Sequence, residues 1–218
     1  EDGAHGTLFE QHNPDLLYGP DDEPTVLVAD SENDRVVEYA RRDGEWTRTW
    51  TLAGNLSWPR DADRLPNGNT LVTDTLNHRI VEVTPTGEVV WEYYATWGPY
   101  DADRVATGDG SQGPTMAEQG VTGRYEVRGG ESKAAARVGP GEWLALRLSG
   151  TPLSEPASEF ASRWEHVTPW ARPVWMAPWS FGYLVLALLL GVGWASVEAV
   201  LARRRIADAT RRAVARLR

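Results

Sequence analysis

The chain contains no cysteine. That excludes a disulfide framework, a thiolate zinc site and a cysteine nucleophile. Lysine is almost missing too: Lys133 stands alone, and every other basic side chain is arginine. Histidine is scarce, with His5, His12, His78 and His166 the full set. No methionine opens the chain, which starts at Glu1. It is therefore read as processed or truncated, with any signal peptide or N-terminal anchor outside these 218 residues. That length suits one ordinary domain plus attachments.

The charge is divided along the chain. Residues 1–180 carry 29 Asp and Glu against 15 Lys and Arg, a balance of −14. Residues 203–218 carry seven Arg and one Asp, a balance of +6. An acidic domain repels phosphates, so nucleic acid is excluded as its partner. The acidic, lysine-poor composition resembles that of haloarchaeal proteins, whose carboxylates keep them hydrated where salt screens their repulsion. A GC-rich genome that favours arginine codons is a compatible reading.

Charge is missing altogether from Met176 to Val197. As a helix, those 22 residues span roughly 33 Å, enough for a bilayer core of about 30 Å. Trp175, Trp179, Phe181 and Tyr183 form an aromatic belt at one end. Arg203, Arg204 and Arg205 close the other end, which the positive-inside rule assigns to the cytoplasm. The expectation is a single-pass plasma-membrane protein with membrane lipids as partners, its acidic domain extracellular and its C-terminus cytoplasmic. A buried helix of a soluble protein is the competing reading. The small residues Gly191, Ala195 and Ala199 are spaced by four, as in close helix packing. The tail RRRIADATRRAVARLR is read as a stop-transfer tail, or as a helix on anionic headgroups.

An internal repeat organises the domain. VLVADSENDRVVEY at 26–39 aligns with TLVTDTLNHRIVEV at 70–83, an offset of 44. PRDADR at 59–64 aligns with PYDADR at 99–104, an offset of 40. Periods in the low forties suggest four-stranded propeller blades. RDADRL, TLVTD, RIVEV and VVWEYY are four strands joined by tight turns. The fold class expected is all-β: propeller-type blades in a partial ring, plus one C-terminal transmembrane α-helix. The parts are a lead-in or partial blade over 1–20, a propeller-like ectodomain over 21–150 and an amphipathic Trp-rich segment over 151–179. The transmembrane helix follows over 180–202 and the tail over 203–218. A closed ring needs about four blades, so a partner chain or N-terminal blades outside this chain are expected to complete it.

These units resemble NHL-type propeller repeats. DADRLPNGNTLVTDTLNHRIVEVTPTGEVVWEY, together with a membrane helix, resembles the haloarchaeal branch of the arylsulfotransferase family. The resemblance covers roughly residues 20–110. It implies sulfuryl transfer between phenols through a histidine nucleophile. Family members place that histidine in the loop entering a blade, where this chain has Arg60 and Tyr100.

Blade topology predicts that the entry loops and the turns between second and third strands converge. Arg60, Asp61, Asp74, Asn77, Tyr100 and Asp101 are the expected ligand-binding residues. His78 is the candidate nucleophile, with a locally packed turn residue as the competing reading. Arg35 and Arg79 are read as partners of Asp30 and Asp74 between blades. Asp30 and Asp34 are a weak alternative cation site, and no cofactor is expected. Asn55-Leu56-Ser57 is a glycosylation sequon at Asn55.

Between repeat and span, a short strand is expected at 124–128 and another in GEWLALRLSG. A helix starting at Ser158 puts Phe160 and Trp164 on one side. The Trp-rich run 164–179 reads as a segment in the outer headgroups, or as a lid on the propeller. The function expected is a cell-surface binding module that holds a ligand or partner. The alternatives are an active aryl sulfotransferase and a subunit of a larger membrane assembly.

Overall fold

The computed structural model describes residues 6–130 and 138–216. His5 and Lys133 lie outside them. The chain divides into two units, one ending at Trp175 and one starting at Met176.

The first unit holds two sheets. Strands β1 (Gln11–Tyr18), β2 (Pro24–Asp30), β3 (Arg35–Arg42) and β4 (Glu45–Ala53) form an antiparallel meander. Strands β5 (Pro59–Arg64), β6 (Thr70–Asp74), β7 (Arg79–Val83) and β8 (Val89–Tyr94) repeat it. Strand β9 (Gly123–Glu126) adds in parallel beside β4 and gives the first sheet a fifth strand. The described residues form no closed ring of sheets. The lead-in supplies β1, which pairs with β2.

Alternation along each strand assigns its faces. Leu27, Val36, Trp50 and Leu52 face the second sheet, which answers with Ala62, Val72, Val81 and Val83. That apolar layer is fully buried and is the core. The 3-10 turns Ser31–Asn33 and Thr75–Asn77 each end on a left-handed residue, Asp34 (φ 50°) and His78 (φ 55°). The third repeat, 99–104, has the position of a first strand but no ladder partner. After it the chain crosses back, and Gln112 and Gly113 donate to the Arg64 carbonyl.

Helix α1 (Pro140–Leu148) replaces the strand expected in GEWLALRLSG. Glu, Leu, Ala and Arg are strong helix formers, and Pro140 sits at the start, where its lost N–H is harmless. Gly141 lets α1 approach closely: a Cβ there would stand 3.1 Å from the Ala161 Cα. Helix α2 (Ser154–Ala171) starts four residues before Ser158 and pairs Phe160 with Trp164, ring centroids 5.7 Å apart.

The second unit is one helix, α3 (Pro178–Arg216). It starts at Pro178 and runs unbroken through the arginine-rich tail. Its Pro178–Arg203 stretch is long and apolar enough to cross a membrane.

Candidate functional site

Each sheet carries a buried corner made from the same three residues. Arg35 Nε donates to Asp30 Oδ2 at 2.6 Å, and Asn33 Nδ2 donates to both Asp30 oxygens at 3.0 Å. One repeat later, Arg79 Nε donates to Asp74 Oδ2 at 2.7 Å, and Asn77 Nδ2 reaches the same carboxylate at 2.9 Å. Both carboxylates also accept a backbone N–H from the incoming chain, Phe9 to Asp30 and Ser57 to Asp74, each at 2.7 Å. Both arginines donate to incoming carbonyls, Thr7 for Arg35 and Asn55 for Arg79. These corners clamp the segment that enters each sheet.

Three expectations change with that finding. The Arg–Asp pairs lie within one hairpin, not between sheets, because Asp30 and Asp74 register opposite Arg35 and Arg79. The Asp74 carboxylate and the Asn77 amide nitrogen are taken up by the clamp. Asp30 is likewise unavailable to a cation, and among the described residues no three acidic or histidine side chains form a metal group.

The remaining four candidates do come together. The Arg60 guanidinium lies 3.6 Å above the Trp58 ring and 5.2 Å from the Tyr100 ring. His12 Nε2 contacts Arg60, and the His12 ring meets Tyr100 edge-on at 6.2 Å. Arg60 Nε is buried with no hydrogen-bond partner among the described residues. Asp61 accepts from Asn13 Nδ2 at 3.3 Å, while burial and then the neighbouring Asp101 push its pKa up to about 7. Asp63 is pushed up to about 8 by burial, then by Asp61 and Asp15. Burial and the neighbouring carboxylates thus favour the protonated forms of Asp61 and Asp63 near neutral pH. Asp15 is tied to Ser111, whose backbone N–H donates at 2.7 Å.

The helix α2 lies over this end of the sheets. His166 contacts Glu32 and Asp34, each at 3.3 Å, and those carboxylates raise its pKa against the effect of burial. Trp58 N–H donates to Asp34 at 2.7 Å, and its indole reaches Glu32 at 3.2 Å. Trp170 packs edge-on against Trp58 and Trp97, at 6.0 and 5.0 Å.

His78 is packed rather than presented. It is buried, and its Nδ1 accepts the Gly98 N–H at 2.9 Å. Burial and then Arg172 lower its pKa, while the Pro169 backbone opposes them. His12 Nδ1 is engaged with the Glu10 carbonyl and Ser31 Oγ. Asn55 Nδ2, the atom a glycan joins, donates to the Val127 carbonyl at 2.9 Å.

Sequence reasoning missed Asp15, Asn13 and Ser111. Asp63 was within reach: it occupies the same place in DADR as Asp103. No protein-family model matches the chain, and no curated protein matches it.

Proposed function

We propose that this chain is a membrane-anchored, cell-surface binding module of β-propeller type, related to the arylsulfotransferase family, that holds an aromatic anion without turning it over. One observation carries the reading. The Arg60 guanidinium is held between the Trp58 and Tyr100 rings with Nε unused, while His12, His78 and His166 are each engaged in packing or capping contacts. An arene stacks on such rings, and a sulfate or carboxylate pairs with the guanidinium. Two repeated sheets with equivalent corner clamps support the propeller-type architecture. The apolar Pro178–Arg203 helix with arginines at its C-terminal end supports an outside domain and an inside tail.

The test is turnover. The full chain in detergent is incubated with p-nitrophenyl sulfate and a phenol acceptor. No sulfuryl transfer is expected. Transfer that disappears in His12→Asn or His78→Asn would overturn the binding-only reading.

A further inference from the structure

The two sheets bury each other through surfaces that the chain carries twice. Trp50 registers opposite Glu38, and Trp91 registers opposite Glu82 one repeat later. Trp50 is 0% exposed between the sheets, and its indole N–H donates to the Pro85 carbonyl at 2.9 Å. Trp91 is 40% exposed on the far face of the second sheet, beside Tyr93 at 57%. The surroundings match as well. Arg64 stands 5.3 Å over the Trp50 ring and pairs with Glu38, while Arg104 stands 4.5 Å over the Trp91 ring and pairs with Glu82. The far face of the second sheet is thus a second edition of the surface by which the first sheet packs.

The far face of the first sheet is the matching half. It bears an open cleft of about 480 Å³ lined by Val26, Val28 and Tyr39, with Leu8 and Trp46 at its sides. Val26, Val28 and Tyr39 are the repeat counterparts of Thr70, Val72 and Val83. Val72 and Val83 share the core cluster with Trp50. The cleft therefore lies where the repeat would seat a tryptophan from a neighbouring sheet.

We propose that a second copy of this chain docks head to tail, its Trp91 entering the Val26–Val28–Tyr39 cleft. The interface already built inside the chain selects this occupant, since the two ends carry the complementary halves of it. Residues 101–104 lie against the inner part of the Trp91 face, so the contact uses β8 of one copy and β2, β3 and β4 of the other. Such a contact is heterologous, and it closes into a ring when the rotation allows. A buried tryptophan at its centre is the usual anchor of a stable interface.

The absence of native cysteine makes the test clean. The full chain in detergent is prepared as Glu45→Cys, beside the cleft, and as Val90→Cys, beside Trp91. A short bis-maleimide is expected to link the two variants when they are mixed, and neither with itself. Light scattering is expected to give at least two copies per particle for the parent chain and one for Trp91→Glu, with unchanged circular dichroism. A monomeric parent, links only between like variants, or an oligomer that survives Trp91→Glu would each overturn the proposal. Ligand binding at Arg60 is read separately, so either idea can fail alone.

Discussion

Arg64 of β5 reaches 3.3 Å across the gap between the sheets to Glu38 of β3, and both side chains are buried. Burial raises the Glu38 pKa and lowers that of Arg64 to about 10. Each charge is therefore tolerable only because of the other, together with the Met116 N–H that donates to Glu38 at 3.0 Å. Arg64→Met strands a buried carboxylate and is expected to cost about 3–5 kcal/mol. The double change Arg64→Met with Glu38→Leu is expected to cost less than the single one. Urea midpoints at constant slope measure both. Because the pair is buried, molar salt should leave the difference largely intact.

The clasp between His166 and the turn carboxylates gives a pH dependence with a definite sign. The folded state raises the His166 pKa above 6.5, so it binds the proton more tightly than the unfolded chain. The stabilisation is complete below about pH 6.5 and is lost as pH rises through the folded value. Glu32, Asp34 and Glu165 face the ring, with Arg172 beyond Glu165. Fluorescence of the Trp58–Trp170 pair should change across that rise, and His166→Ala should abolish the change. A transition that persists in the variant contradicts the clasp.

Asp61 and Asp63 act over a wider range. Their folded values of about 7 and 8 lie above the ordinary 3.8. The folded state keeps protons that the unfolded chain releases first, so stability falls as pH rises from about 4 towards 8. Asp63→Asn is expected to flatten that slope and to stabilise the chain at pH 8. Thermal unfolding across the range reads it, and an unchanged slope would contradict the raised Asp63 value.

Membrane orientation has a direct assay in a chain without cysteine. An impermeant maleimide is expected to label Thr47→Cys on intact cells. It should reach Ala207→Cys only after permeabilisation. The reverse pattern would invert the assignment.

Much of the sheet architecture was legible because its signals are local. Alternation and tight turns marked the four strands of the second sheet, and the 44-residue offset carried the pattern to β2 and β3. GEWLALRLSG misled because its leucines alternate over too few residues to separate a strand from a helix, and propensity together with packing on Ala161 decided it. The site was half legible. Arg60, Asp61, Tyr100 and Asp101 hold equivalent places in PRDADR and PYDADR and lie together. Asp74 and Asn77 have the same polar character, but Asp74 is taken up by Arg79 and Ser57, and the Asn77 amide turns to Asp74 and the Asn55 carbonyl, which spacing cannot show. Asp15 and Ser111 meet across 96 positions of sequence, beyond any local pattern.

Calorimetric titration of p-nitrophenyl sulfate into the full chain in detergent tests the binding site itself. Saturable one-site binding is expected, with an affinity loss of tenfold or more in Arg60→Ala, equivalent to at least about 1.4 kcal/mol. No binding by the parent chain, or equal binding by Arg60→Ala, would contradict the account.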